Sequence, residues 1–170
     1  NNVGWIDLVV CNLYPFSMMI ARADCDLMTV MDSVDIGGPT MIRSAAKNAG
    51  WVTVIVDPYD YQNIIDELSE FVEISFETRK KLSVKAFGHT AQYDTIIHNY
   101  LKDEKLSDDL SLTYNKHSAM RYGENPHQSA AAYQDPTDRS KNILNAKIHQ
   151  GKKLSYNNIM DADAALSCLK

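Results

Sequence analysis

The sequence predicts an α/β protein built on a parallel sheet, and three observations carry this prediction. Two nearly continuous apolar runs, residues 6–13 and 51–56, are typical of strands that are covered on both faces. Between them, residues 39–48 show helical periodicity, so the order is strand, helix, strand. The connections are short, which favours a βαβ unit with a right-handed crossover.

The composition is that of an ordinary globular protein and excludes several functional classes. Of 170 residues, 45% are hydrophobic, which suffices for one domain with a core or for parts of two. The net charge of −5 argues against a general nucleic-acid binder, and the short basic run at residues 79–81 does not change that. Apolar runs fall far short of a membrane span. Three widely spaced cysteines without a Cys-x-x-Cys pair favour reduced thiols in an intracellular protein.

The first strand is expected to end at Tyr14-Pro15-Phe16. In a parallel sheet this break lies just beyond the carboxyl end of the strand, where open α/β sheets place their ligands. Apolar residues at helical spacing then predict a short helix within residues 24–33. This helix leads directly into the glycine turn Asp35-Ile36-Gly37-Gly38.

The helix that follows the glycine turn has signals at both ends. Pro39 suits the first helical position because its missing N–H would be unpaired there anyway, and Gly50 is expected to stop the helix. The two glycines of the turn are able to adopt backbone angles closed to other residues. Free N–H groups at this helix start, beside Asp35, predict a site for an anion or a polar ligand.

The rest of the chain divides into a helical part and a part of different character. Helices are expected over residues 59–71 and about 76–101, and Gly88 in the second one indicates either a break or close packing. Charged and polar residues then dominate residues 102–116, which predicts a linker and a domain boundary near residue 110. Beyond it the sequence predicts two short strands and a closing helix, at residues 130–133, 143–149 and 154–170.

Three side chains are candidates for proton-transfer chemistry. Tyr14 stands at a strand end, Asp35 at the glycine turn, and Lys47 follows Thr40 and Arg43 at helical spacing. Strand ends and helix starts gather at one edge of such a sheet, so an acid, a base and a phenol are expected to converge there. Each also has a structural interpretation: Tyr14 as half of a Tyr-Pro turn, Asp35 as a capping residue and Lys47 as a solvated lysine.

Other sites have weaker signals. The five histidines lack paired ligand spacing, so no metal site is predicted, and no motif supports Ser/His/Asp catalysis or a phosphate-cradling glycine loop. Arg121-Tyr122-Gly123 is typical of a turn, either one that grips a phosphorylated or planar ligand or one that carries an ordinary surface arginine.

Five motifs closely resemble the bifunctional purine biosynthesis family, which joins IMP cyclohydrolase to aminoimidazole carboxamide ribonucleotide formyltransferase. The resemblance spans essentially the whole chain, and the motifs occur in the family's order. They are Asn12-Leu13-Tyr14-Pro15-Phe16, Asp35-Ile36-Gly37-Gly38-Pro39-Thr40, Arg43-Ser44-Ala45-Ala46-Lys47-Asn48, His89-Thr90-Ala91-Gln92-Tyr93-Asp94 and Arg121-Tyr122-Gly123-Glu124-Asn125-Pro126-His127-Gln128.

The resemblance implies two domains. Residues 1–105 resemble the later part of the cyclohydrolase domain, whose fold is similar to methylglyoxal synthase. Residues 106–116 would be a linker, and residues 117–170 resemble the start of the transferase domain, whose fold is similar to cytidine deaminases. The family's phosphate-binding loop and second catalytic lysine are expected before residue 1, and the transferase's Lys-His pair after residue 170, so each site would be partial and the piece alone inactive. Asp32 stands where the family often has Glu.

The resemblance also implies roles for individual residues. In the cyclohydrolase, Tyr14, Asp35 and Lys47 would be catalytic, whereas the transferase residues would contact the aminoimidazole nucleotide. The expected nucleotide-binding residues of the two sites together are Asn12, Ile36, Gly37, Arg43, Arg121, Tyr122 and Asn158.

The activity implied is the last two steps of purine biosynthesis: formyl transfer from formyltetrahydrofolate, then dehydrative ring closure to IMP. The cyclohydrolase half would need no metal. The expected partners are a purine nucleotide and a second copy of the chain, without nucleic acid or membrane, in the cytoplasm. A different hypothesis is a non-catalytic nucleotide-binding or regulatory module with a methylglyoxal-synthase-like fold.

Overall fold

The computed structural model describes residues 4–22, 24–102 and 106–169, and the chain forms two compact units, Asn1–Ser111 and Leu112–Lys170. The first unit consists, in chain order, of β1 (Leu8–Val10), α1 (Phe16–Met19), α2 (Leu27–Asp32), α3 (Gly37–Lys47), β2 (Thr53–Ile55), a 3-10 turn (Pro58–Asp60), α4 (Tyr61–Phe71) and α5 (Phe76–Leu101). The second unit consists of β3 (Asn115–Ala119), β4 (Ala131–Gln134), a 3-10 turn (Ile143–Asn145) and α6 (Tyr156–Cys168).

The predicted parallel βαβ unit is present. Strands β1 and β2 pair in parallel, with Leu8 opposite Thr53 and Val10 opposite Ile55. Strand β2 is buried along its whole length, as a continuous apolar run predicts. The prediction that both faces of the strand are covered is wrong for β1 within the described residues, because Leu8 is 44% and Val10 50% exposed. Only the opposite face of β1 packs against the core, through Val9.

Helices α3 and α5 form the centre of the first unit. Ile42, Ala45 and Ala46 of α3 pack against Val54 of β2 and Ala86 of α5. The small alanine side chains let the helices approach closely, and burial of these apolar groups stabilises the packing of α3 against α5 and β2.

The two helices run in opposite directions. Near the end of α3, the Ser83 hydroxyl of α5 donates a hydrogen bond to the Ala46 carbonyl oxygen at 2.8 Å. Nearer the start of α3, the Arg43 guanidinium lies 5.6 Å from the centre of the Phe87 ring. Helix α5 continues through Gly88 without a break, and no atom lies within 4 Å of a Cβ position there, so Gly88 marks neither a break nor close packing.

Capping residues explain several helix boundaries. Asp26 accepts the Thr29 N–H at 2.8 Å and starts α2, and Ser75 accepts the Thr78 N–H and starts α5. Helix α3 ends at Lys47, before Gly50 is reached. Helix α1, directly after Pro15, is too short to show helical periodicity and was not predicted.

The second unit is built on an antiparallel hairpin. Strands β3 and β4 pair with an irregularity between Lys116 and Ser118. Strand β3 is exposed throughout and lies partly in the stretch whose polar composition predicts a linker, so no apolar pattern marks it. The strand predicted at residues 143–149 is wrong: Asn142 accepts the N–H groups of Leu144 and Asn145, which closes a 3-10 turn instead.

Helix α6 starts at a capping box. Ser155 accepts the Asn158 N–H, and the Asn158 side chain accepts the Ser155 N–H in return. None of the helices in the described parts of the chain combines the length and the apolarity that a bilayer crossing requires.

Candidate functional site

The carboxyl ends of β1 and β2 define one edge of the first unit. The Cys11 N–H donates to the Ile55 carbonyl oxygen at 3.0 Å, so the segments that follow β1 and β2 leave the sheet side by side. Asn12 follows β1 at this edge, and Asp57 follows β2. The edge is the position where parallel sheets present polar residues to ligands.

The turn before α3 folds onto the end of β1. Asp35 Oδ1 accepts the Gly38 N–H at 2.7 Å, so the carboxylate caps the first turn of α3. The negative charge of Asp35 contributes, after burial, to raising the pKa of the Cys11 thiol, which places the carboxylate near the strand end. Sequence reasoning expected free N–H donors here, but one of them is already taken by Asp35 itself.

The glycines of the turn serve different purposes. A Cβ atom at Gly38 would lie 2.6 Å from Asp35 Oδ2 and 2.6 Å from Leu13 Cδ2. Gly37 faces open space, and neither residue has a positive φ. The requirement at Gly38 is therefore close packing of the turn against the strand end, and the expectation of unusual backbone angles is wrong.

The surface of this edge is open to a ligand. Tyr14 is 63% and Ile36 74% exposed, and Asn12 and Gly37 are exposed as well. The flanking residue Phe16 is buried and packs edge-on against the Tyr93 ring at 6.2 Å. A buried anchor next to exposed Tyr14 fixes the backbone while leaving the phenol accessible.

Lys47 does not join Tyr14 and Asp35. It lies in the last turn of the 11-residue helix α3, whereas Asp35 precedes the first turn. At a rise of about 1.5 Å per residue, these helix ends are roughly 15 Å apart. The expected convergence of all three side chains is thus not observed within this chain. Arg43 lies between the two ends and stacks on Phe87.

A charged cluster that sequence reasoning missed lies beyond the end of β2. Lys85 of α5 contacts Asp57 Oδ2 at 2.6 Å and Asp60 Oδ2 at 2.7 Å. One turn further along α5 lies His89, whose Nε2 is buried and has no hydrogen-bond partner. Burial lowers the pKa of His89, although the nearby Asp57 carboxylate acts in the opposite direction. The i, i+4 spacing of Lys85 and His89 places both on one face of α5, and this spacing is the signal in the sequence from which the cluster could have been predicted.

In the second unit, the three residues predicted to bind nucleotide lie close together. The Arg121 guanidinium lies 4.8 Å from the centre of the Tyr122 ring and donates to its hydroxyl at 3.1 Å. The Tyr156 N–H donates to the Tyr122 carbonyl oxygen at 3.2 Å, which brings the start of α6 alongside. Asn158 is held there by the capping box with Ser155.

The surroundings of Tyr122 make its hydroxyl a stronger hydrogen-bond donor than an ordinary phenol. Hydrogen bonds from Arg121 and Ser155 lower the pKa of this phenol, and the Arg121 charge adds to the effect. The loop that follows is closed by Gln128, whose carbonyl oxygen accepts the Gly123 N–H at 2.8 Å. This closure makes the Arg121 turn a defined structure.

Metal-ligating side chains do not gather in the described ranges, where no group of three or more His, Cys, Asp or Glu is placed to hold an ion. The three cysteines are free thiols: Cys11 and Cys25 are half-buried, and Cys168 is exposed.

The fold and sites define an α/β protein with a polar site at the carboxyl edge of a parallel βαβ unit, followed by a unit with an arginine-tyrosine site beside a capped helix. The family model of the AICARFT/IMPCHase bienzyme matches residues 45–170. The chain belongs to this family.

The curated relatives agree. The bifunctional purine biosynthesis protein PurH of Bacillus cereus (strain B4264) is 51% identical over 168 residues, as is that of Bacillus anthracis (strain CDC 684 / NRRL 3495). Each match covers 97% of this chain, which spans only 33% of the relative's length. Among solved structures, one titled "Crystal structure of ForH" is 33% identical, with a TM-score of 0.47 over 55% of this chain and 48% of that chain.

Proposed function

We propose that this chain forms part of an enzyme for the last two steps of purine biosynthesis. The enzyme transfers a formyl group from formyltetrahydrofolate to aminoimidazole carboxamide ribonucleotide and then closes the ring to IMP. The observation that carries the proposal is the 51% identity along 97% of the chain to relatives named for bifunctional purine biosynthesis. Because the chain spans a third of those relatives, turnover belongs to a polypeptide of their length.

We assign the two reactions to different parts of the chain. Residues 1–105 would be the later part of the cyclohydrolase domain with a methylglyoxal-synthase-like fold, and residues 106–116 a linker. Residues 117–170 would begin the transferase domain with a cytidine-deaminase-like fold. The parallel pair β1–β2 and the separate unit around β3–β4 support this division.

Ring closure requires positioning and proton transfer. The carboxamide nitrogen attacks the formyl carbon, a C–N bond forms, and the formyl oxygen leaves as water with two protons. Asp35 is suited to accept the amide proton. The Gly38 N–H fixes its Oδ1, which leaves Oδ2 as the atom that accepts the proton. Exposed Tyr14 at the same edge is suited to donate a hydrogen bond to the developing oxyanion.

The remaining cyclohydrolase residues fall into two groups by position. Ile36 and Gly37 belong to the Asp35 turn, Asn12 follows β1 at the same edge, and these three residues would line the purine nucleotide pocket. Arg43 and Lys47 belong to the proposal through the family resemblance, since α3 carries Lys47 away from Asp35. Loss of ring-closing turnover in Lys47→Ala would show that this ammonium takes part.

In the transferase, Arg121, Tyr122 and Asn158 would contact the aminoimidazole nucleotide, and formyltetrahydrofolate would be the co-substrate. The guanidinium stacked on Tyr122 offers charge and a planar surface, which a phosphorylated heterocycle can use. The complete enzyme would be a cytoplasmic homodimer.

The test is a chimera in which this chain replaces its matching third of the Bacillus cereus relative. Asp35→Asn should lower kcat for ring closure by about 100-fold or more, because an amide caps α3 but accepts no proton. Asp26→Asn is the matched control, since Asp26 also caps a helix with its carboxylate but lies outside the site.

Two outcomes would contradict the proposal. Full ring-closing activity of Asp35→Asn would remove the proton-acceptor assignment. A chimera that binds IMP but converts no formylated nucleotide, while the Bacillus cereus relative does, would favour the nucleotide-binding module instead.

A further inference from the structure

Asp35 is held from two sides, and only one of them is local. Its carboxylate is fixed by the Gly38 N–H at 2.7 Å, three residues along the chain. Its own backbone N–H donates to the Tyr93 hydroxyl at 2.8 Å, across 58 residues of sequence. The second bond ties the turn to α5, so the position of Asp35 depends on a helix that is distant in the sequence.

Tyr93 is placed to act on Asp35 and is shielded from a ligand. Its side chain is 7% exposed and packs with Phe16, Val30 and Ile96. Burial raises the pKa of Tyr93, against the opposite effect of the bond from the Asp35 N–H, so the phenol is neutral at physiological pH. A neutral, buried hydroxyl that accepts a backbone N–H can orient a neighbour but cannot reach a substrate.

The position of Tyr93 along α5 strengthens this interpretation. At the opposite end of the α3–α5 contact, Arg79 and Ser83 donate to carbonyl oxygens at and beyond the end of α3. Helix α5 therefore forms hydrogen bonds at both ends of α3, and Tyr93 forms the one at the end that carries Asp35.

We propose that Tyr93 is a positioning residue for ring closure, which holds the Asp35 turn at the carboxyl edge of the sheet. This inference rests on the proposed role of Asp35. Placement errors of about 1 Å at a reacting group can cost up to about 100-fold in rate, so even a small shift of this turn is measurable.

In the chimera, Tyr93→Phe should lower kcat for ring closure by about 10-fold and leave KM within about 2-fold, because the pocket surface itself is unchanged. Ser83→Ala is the matched control: it removes another buried hydroxyl-to-backbone bond between the same two helices, at the end remote from Asp35. It should keep kcat within about 2-fold.

The double variant Tyr93→Phe with Asp35→Asn separates the two proposals. If Tyr93 acts only through Asp35, the double variant should be no slower than Asp35→Asn alone. A further loss in the double variant, or equal losses in Tyr93→Phe and Ser83→Ala, would overturn the positioning role while leaving the proposed function intact. An active Asp35→Asn would instead remove the proton-acceptor role of Asp35, and this inference with it, whereas a chimera without any ring-closing activity would contradict the proposed function itself.

Hydrogen exchange of the 170-residue chain gives a readout that is independent of turnover. The Asp35 amide should exchange faster in Tyr93→Phe than in the parent chain, while amides around Ser83 keep their protection. Ser83→Ala should not change the Asp35 amide. Unchanged exchange at Asp35 in Tyr93→Phe would contradict the proposal.

Discussion

Replacing Gly38 by alanine tests how tightly the Asp35 turn packs against the strand end. The new Cβ atom would lie 2.6 Å from Asp35 Oδ2 and 2.6 Å from Leu13 Cδ2, well inside contact distance. Because Gly38 has no positive φ, a strained backbone conformation does not contribute to the effect of the substitution.

The magnitude follows from three contributions. Overpacking a tight site typically costs about 1–3 kcal/mol. Displacing the Asp35 carboxylate also weakens its bond to the Gly38 N–H, and a charge-assisted hydrogen bond contributes roughly 1.5–3 kcal/mol. Alanine recovers at most about 1 kcal/mol through its better helix propensity. We expect a net loss of about 2 kcal/mol in the free energy of unfolding.

The assay is urea unfolding of the 170-residue chain followed by far-ultraviolet circular dichroism, which reports mainly on the helices. Gly37→Ala is the control, since no atom lies within 4 Å of its Cβ position. It should leave stability unchanged or raise it by up to about 1 kcal/mol. Equal stability of the Gly38→Ala and Gly37→Ala chains would refute the packing argument.

Two further predictions concern α5. The folded state holds His89 neutral by burial, so the unfolded state binds its proton first, and stability should be lost as the pH falls below about 6.5. His89→Gln should flatten this slope between about pH 7 and 5, whereas the exposed α5 control His98→Gln should retain it; an unchanged slope in His89→Gln would contradict the assignment. Arg79→Ala removes bonds to the Ala49 and Gly50 carbonyl oxygens and should cost about 2 kcal/mol in urea unfolding, whereas Lys80→Ala should stay within about 0.5 kcal/mol; similar losses in both would contradict it.

The candidate site could be predicted where its parts lie next to each other in the sequence. The end of β1 and the start of α3 are both marked by local signals, an apolar run that stops and a glycine turn before Pro39. Their meeting at one edge follows from parallel topology. The separation of Lys47 from Asp35 could also have been predicted from the sequence. The two residues stand twelve positions apart, and the length of the helix between them keeps their side chains apart.

The remaining parts depend on contacts between distant residues. Arg79 belonged to a basic run with no evident purpose until the fold placed its guanidinium at the end of α3. His89 and Tyr93 lay in a motif that marked the family without indicating a role for either residue. Nothing local distinguishes such residues from surface or packing side chains.

The sequence by itself determined the βαβ order, the presence of helices α2–α5 in the first unit and the family, because these depend on periodicity, capping and motifs read over a few residues. Only the tertiary structure decided that Tyr93 holds Asp35, that Gly38 is required by packing, and that β1 is exposed on one face. Such features arise when segments tens of residues apart come into contact, and the free energy of those contacts belongs to the folded chain as a whole.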